Sequence, residues 1–376
     1  MRITENRIST DFCGERCYVH ARGLVLPSGF AIMTMQKLEL SGCDVFYGLE
    51  MRKSTDGAKS FSAPVACKNL CRRYLEDGTS YVMSDATPFF HSKSGKIILT
   101  GHMVWYGEDN KLLREARPRA PLYAVYNEAI GDFDAFREIE MPETENGEYF
   151  SGGAGCAQIV ELENGELLVP IYYKERKYAA DPRACAAAVV ARCSFDGETV
   201  KLLELGDTLR TDVPRGFDEP SLIAYGGKYF LALRNDVTGF VSSSDDGLHF
   251  CQPKELCFDD GENLGNYNTQ QHWLTGGGKL WLVYTRKAGS NDHMFRHRAP
   301  LFIAEFDPEH LCVIRSTERI AVGERGARLG NFGAQSYSDS EGYIFVSEWM
   351  QNDPYGWQKC VERGSDNSIF VQKVLF

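Results

Sequence analysis

No segment of this 376-residue chain reaches the roughly 18 consecutive apolar residues of a membrane-spanning helix. Its first residues, MRITENRISTDFCGERC, lack the apolar core of a signal peptide. The expectation is a cytoplasmic protein with no membrane partner. Positive charge is also scarce: 41 Lys and Arg stand against 52 Asp and Glu, a formal net charge of −11. That balance argues against a nucleic-acid-coating protein, so an anionic partner would have to be met by locally gathered charge. No stretch sustains a 3.6-residue apolar period, which excludes a helical bundle. Metal-ligand spacing is lacking too. Among twelve cysteines, Cys13/Cys17 and Cys67/Cys71 are four apart, but no His or second pair lies in register, so neither metal nor cofactor is expected. Several other cysteines sit inside apolar strand-like runs, as buried reduced thiols do.

What the chain has is glycine, with 36 residues, and aromatics at 12%, distributed over many short alternating runs of the kind that form strands. One unit recurs: an apolar run, a turn centred on glycine, and a second apolar run. The copies are HARGLVLPSGFAIMTMQ, ATPFFHSKSGKIILTGHM, CAQIVELENGELLVPIYY, EPSLIAYGGKYFLALR, QQHWLTGGGKLWLVYTR and GAQSYSDSEGYIFVSEW, with turn glycines Gly29, Gly95, Gly165, Gly227, Gly277 and Gly342. A third strand follows most hairpins, visibly one motif in RAPLYAVY, RACAAAVV and RAPLFIAEF. Intervals of 50 to 70 residues suit four-stranded sheets, and radial repetition leaves few exposed edges. The reading is an all-β, six-bladed β-propeller spanning 1–376 as one domain, its ring closed by residues 1–12 supplying the last blade's outer strand.

Antiparallel topology then decides which residues converge. Starts of first strands, ends of second strands and the loops from second to third strands share one mouth. Those loops are basic: Lys111, Arg114, Arg117 and Arg119 in blade 2; Lys174, Arg176, Lys177 and Arg183 in blade 3; Arg286, Lys287, Arg296 and Arg298 in blade 5. The opposite turns carry Asp56, Asp196, Asp245, Asp246 and Asp307. The mouth should therefore attract an anion.

Residues 243–250, SSDDGLHF, fit the pattern S-x-D-x-G-x-x-aromatic, and 54–61, STDGAKSF, fit it with Ala58 at the usual glycine. In that turn Asp accepts backbone N–H bonds, Gly takes a positive φ and the aromatic anchors the turn. On this Asp box and the hairpin repeat, the chain resembles the sialidase superfamily of BNR-repeat propellers over all six blades.

The resemblance implies site residues. Sialidases grip a substrate carboxylate with three arginines, whose planar forks match it bidentately. Arg234 and Arg298 stand at family-like places; the family's F/Y-R-I-P motif aligns with YVHA (18–21), which puts Val19 at the arginine and leaves Arg22 close by. Asp44, ten residues before the first Asp box, resembles the acid/base aspartate, and Glu219 in FDEPSL resembles the glutamate that polarises the nucleophile. Two such carboxyl groups suit glycoside chemistry. The family's tyrosine nucleophile is missing. Counting back from Gly342 lands on Phe332, so no phenol is expected within hydrogen-bond reach of Glu219 and no hydrolysis of sialosides is expected.

The strand geometry adds mouth candidates for sugar hydroxyls and ring stacking: Asp85, Asn268, Gln270, His272, Glu348 and Trp349, with His20, Thr87, Gln158 and Gln335. The expected function is a sialidase-like glycoside hydrolase acting on an anionic or polar sugar of a carbohydrate or glycoconjugate. The alternatives are a polysaccharide lyase on uronates, and a non-catalytic carbohydrate- or protein-binding propeller. The oligomeric state stays open.

Overall fold

The alternating hairpins are realised as six antiparallel sheets whose first strands pack against one another around a common axis. The computed structural model describes residues 1–40, 44–113, 115–181, 184–351 and 356–376. From the axis outward, blade 1 is Arg16–Val25, Ala31–Glu39, Phe46–Ser54 and Val65–Ala66. Blade 2 is Ser80–His91, Lys96–Tyr106 and Pro121–Asn127, with Asp132–Phe133 and Arg137–Glu138 outside. Blade 3 has a broken inner strand, Ser151–Gly153 and Val160–Glu161, followed by Leu167–Lys174, Ala187–Phe195 and Val200–Leu205. Blade 4 is Asp218–Tyr225, Lys228–Arg234, Phe240–Ser244 and Lys254–Glu255. Blade 5 is His272–Gly276, Lys279–Tyr284 and Leu301–Asp307, edged by Cys312–Val313 and Arg319–Val322. Blade 6 is Phe332–Ser338, Glu341–Ser347 and Ile369–Leu375, completed by Arg2–Ile8. Arg2 pairs with Leu375 and Ile8 with Ile369, so the first strand of the chain closes the ring.

Apolar side chains fill layers between neighbouring blades. Leu24 and Ile32 meet Leu99 and Leu122 between blades 1 and 2, and Phe230, Trp273 and Phe306 interlock between blades 4 and 5. Each such side chain contributes about 1.5–3 kcal/mol on burial, so blade order is held by many equal contacts.

Two details differ from the sequence reading. Gly29, Gly95, Gly165, Gly227 and Gly277 do occupy first hairpin turns with positive φ, but Gly342 lies inside the strand Glu341–Ser347. A Cβ at Gly342 would meet Phe376 and Leu274 at 3.2 and 3.3 Å, so it is close packing, not turn geometry, that favours glycine there. In the box at 243–250 the capping carboxylate is Asp246, which accepts from the N–H groups of Leu248 and His249. Asp245, one residue earlier, instead pairs with Lys228 at 2.7 Å. At 54–61 Asp56 accepts from Lys59 and Ser60, so the turn at 244–250 is one residue tighter than the pattern implies.

Candidate functional site

Five inner segments carry, near their mouth ends, a non-glycine residue in the left-handed region: His20 (φ 57°), Asp85 (52°), Cys156 (63°), Glu219 (39°) and Asn268 (56°). In blades 1, 2 and 4 the ladder skips here, between Val19 and Arg22, Ser84 and Thr87, and Asp218 and Ser221. A left-handed L-residue costs about 1–2 kcal/mol. Bulges re-aim side chains, and these gather four charged or polar groups and a thiol at the axis.

Arg22, fully buried, is the axle. One terminal nitrogen donates to Asp85 Oδ1 of blade 2 at 2.7 Å and to Gln270 Oε1 of blade 5 at 3.1 Å, and lies 3.2 Å from Cys156 Sγ of blade 3. Its Nε donates to the Phe332 carbonyl of blade 6 at 3.1 Å. Asp85 also has His20 Nε2 at 3.5 Å, His102 Nε2 at 3.8 Å and the Cys156 thiol at 3.2 Å. Burial alone would raise the Asp85 carboxyl, but His20 and His102, once protonated at acid pH, and Arg22 at every pH hold it well below the usual carboxylate range. Burial lowers the His20 imidazole to about 4. His20 is therefore neutral near pH 7, and the Asp85 charge rests chiefly on Arg22.

The floor beneath is closed. Gln158 bonds both backbone groups of Trp273 and the carbonyl of Ala334, and Gln335 bonds both backbone groups of Val25. His272 contacts Ser221 Oγ at 3.0 Å and Gln270 Oε1 at 3.2 Å, with burial taking it to about 3. The Phe332 ring packs edge-on against it, centroids 4.9 Å apart. Gln270 and His272 thus belong to the packed floor.

Above this floor lie two arginines from the sequence reading and one it missed. Arg234 pairs with Glu219 and lies 3.4 Å from Asp236; among the described residues, no phenol is bonded to Glu219. Tyr18 is spent on Glu50 and Tyr267 on His297. Among the described residues Arg298, 5% exposed, bonds only neutral oxygens: Asn268 through its carbonyl and side chain, and Asn331 Oδ1 at 3.1 Å. Burial, then the charges of Arg234, Arg328 and Arg296, push its guanidinium down from its ordinary value. Arg328 is brought alongside because Leu329 N–H donates to the Arg298 carbonyl; its guanidinium lies 4.5 Å over Trp349 and donates to Gln351.

The remaining candidates lie around His20 or inside blade 6. Glu348 accepts from the N–H groups of Asp366 and Ser368 at 3.0 Å, inside blade 6. Trp349 sits between the Arg328 guanidinium and the His20 ring, the two rings 5.4 Å apart. Asp44 rides a loop pinned by Tyr106, whose hydroxyl donates to the Asp44 carbonyl at 2.9 Å and accepts from Phe46 N–H; the Phe46 ring is tilted against His20, centroids 4.7 Å apart. Arg114 and Arg183 lie outside the described residues.

No family model matches the chain, and no curated protein matches it. Solved structures do. A protein of unknown function from Dyadobacter fermentans superposes with a TM-score of 0.68 at 12% identity, covering 100% of this chain and 99% of that one. Trypanosoma rangeli sialidase gives 0.63 at 14% identity over 99% of this chain and 60% of its own. The Hadza microbial sialidase Hz136 gives 0.61 at 11% identity over 96% and 66%. The fold is sialidase-like. The chain spans less than two thirds of these sialidases' length, and at such identities the likeness concerns the fold alone.

Sequence reasoning missed Arg328, His102, Tyr172 and the polar role of Cys156. Arg328 lies in a connector outside the hairpin repeat, where nothing periodic marks it. Cys156 follows a glycine and precedes an apolar run, a context that also suits core filler.

Proposed function

We propose that the protein is a glycoside hydrolase acting on an anionic sugar seated in the mouth, without a tyrosine nucleophile at the Phe332 position. One observation carries this reading: a buried Arg298 with no carboxylate partner among the described residues, in a group with Arg234 and Arg328. An uncompensated buried cation is costly, and a ligand carboxylate would complement it. In this reading Arg234 and Arg298 take the sugar's carboxylate, while Asp85 and Asn268 meet ring hydroxyls. Asp44 gives a proton to the leaving oxygen as the glycosidic C–O bond breaks. Water adds to the anomeric carbon and loses its proton to Glu219, a division of labour between two carboxyl groups that glycosidases use. Arg22 positions Asp85 and does not touch the sugar. The test is a screen of 4-nitrophenyl glycosides with wild type and Glu219→Gln. Release of nitrophenol from carboxylate-bearing glycosides, abolished in a folded Glu219→Gln, supports the assignment; undiminished turnover by the variant removes Glu219 from it.

A lyase acting on uronates is the second reading, favoured by neutral His102 and by the Tyr172 hydroxyl, unbonded among the described residues, on the opposite wall between blades 2 and 3. There a base on that wall would take the proton α to the carboxylate, the electron pair would form the C=C bond, and the leaving oxygen would depart with a proton. Its product absorbs at about 235 nm, which separates it from hydrolysis. Silence in both assays with ligand-induced stabilisation indicates a binding propeller.

A further inference from the structure

The wall between blades 2 and 3 has cations that the proposed carboxylate site does not use. Arg119 and Ser151 lie side by side, with Arg119 N–H donating to Phe150 O and Gly152 N–H donating to Arg119 O, both at 3.0 Å. On its other edge Ser151 pairs with Lys174, and Gly153 pairs with Tyr172. Arg119 and Lys174 therefore flank one residue from opposite sides, two strand spacings or about 10 Å apart. Residues directly across a sheet share a face, as do residues two apart along a strand. Tyr172 thus shares the face of Lys174, and His102, paired with Pro121, shares that of Arg119.

Glycine at 153 keeps this face open: a Cβ there would come 2.6 Å from His102 Cβ and 2.8 Å from the Tyr172 hydroxyl. The donors are largely unspent. Among the described residues the Arg119 guanidinium and the Tyr172 hydroxyl have no hydrogen-bond or ion-pair partner, and Lys174 Nζ donates only to the Asp181 carbonyl at 3.2 Å. The nearby carboxylate Asp218 is held by Arg215, at 2.9 and 3.0 Å. Burial, with Arg215 and Arg119, lowers the Lys174 ammonium from its ordinary value and outweighs the opposing charges of Asp218 and Asp181.

We propose that Arg119, Lys174 and the Tyr172 hydroxyl form a second anion site, so that the mouth takes a sugar bearing two anionic groups. A carboxylate goes to Arg298, and a sulfate, phosphate or second carboxylate goes to the blade 2–3 wall. This rests on the reading of the mouth as an anionic-sugar site, but it is separable from it because the two loci draw on different blades.

The test is calorimetric titration of the full chain with glucuronic acid, glucose 1-phosphate and glucuronic acid 1-phosphate. Wild type, Arg119→Gln/Lys174→Gln and Arg298→Gln are compared, their folding checked by thermal melting. The expected result is that wild type binds the doubly anionic sugar at least about tenfold more tightly than either singly anionic one. The Arg119/Lys174 variant should lose that gain and its glucose 1-phosphate binding while keeping glucuronic acid; Arg298→Gln should do the converse. Glucose 1-phosphate binding that needs Arg119 and Lys174 in a protein that ignores glucuronic acid would sustain the second site and sink the carboxylate reading. No glucose 1-phosphate binding, or binding indifferent to Arg119 and Lys174, overturns the proposal.

Discussion

Arg22 and Arg298 are both buried guanidinium groups, and they differ in whether a carboxylate answers them. Arg22 has Asp85 at 2.7 Å. Removing one partner of a buried ion pair leaves the other uncompensated, at a cost of about 3–5 kcal/mol, so Asp85→Asn should lower stability by about that much in a denaturant titration. Among the described residues Arg298 has no such partner to lose. Arg298→Met should therefore leave the Tm unchanged or raise it while weakening anion binding by about a hundredfold, since a charge-assisted bidentate contact disappears. A fall in Tm matching that of Asp85→Asn would mean that Arg298 is structural. Burial and the neighbouring arginines push the Arg298 guanidinium down from its ordinary value, but a guanidinium keeps its charge through the neutral and mildly alkaline range, so anion affinity that depends on Arg298 should be level between about pH 7 and pH 9. A steep loss of affinity across that range in a binding titration would assign the anion to a group other than Arg298. Neither behaviour was legible in the sequence: Arg22 lies two residues past His20, and only the bulge between Val19 and Arg22 puts it on the axis.

Strands and turns were the legible scale. Alternating apolar residues and positive-φ glycines fix a hairpin locally, which is why the turns at Gly29, Gly95, Gly165, Gly227 and Gly277 could be read directly. Bulges are different, because His, Asp, Cys, Glu and Asn at equivalent left-handed positions share no composition signal. The two capped turns give a paired test. Ala58 holds φ 63°, so Ala58→Gly trades about 1–2 kcal/mol of left-handed strain against the roughly 0.8 kcal/mol of a buried methyl, and a slight gain in Tm is expected. Gly247 holds φ 80°, and a Cβ there would come 2.4 Å from Leu168 Cδ1. Gly247→Ala should lower stability by about 1–3 kcal/mol. Equal effects of the two substitutions would show that turn geometry does not govern either.

For the whole molecule, the ring is closed by pairing Arg2–Ile8 against Ile369–Leu375, a contact anticipated because the last hairpin had one strand too few after it. Deleting residues 1–8 should expose the edge of Ile369–Leu375 and lower the Tm by several degrees with a tendency to associate; an unchanged Tm would show that closure rests on the inter-blade layers alone. The ring sets blades 4, 5 and 6 side by side around the axis, and in the proposed reading this lets Arg234, Arg298 and Arg328 face one ligand. The most direct measurement of that claim is the rate of nitrophenol release from paired 4-nitrophenyl glycosides that differ only in a carboxylate, compared between wild type and Arg298→Met. The account predicts a preference for the carboxylate-bearing member of at least about tenfold in kcat/KM, lost in Arg298→Met. Equal turnover of the neutral and anionic glycosides, unchanged by the substitution, would contradict it.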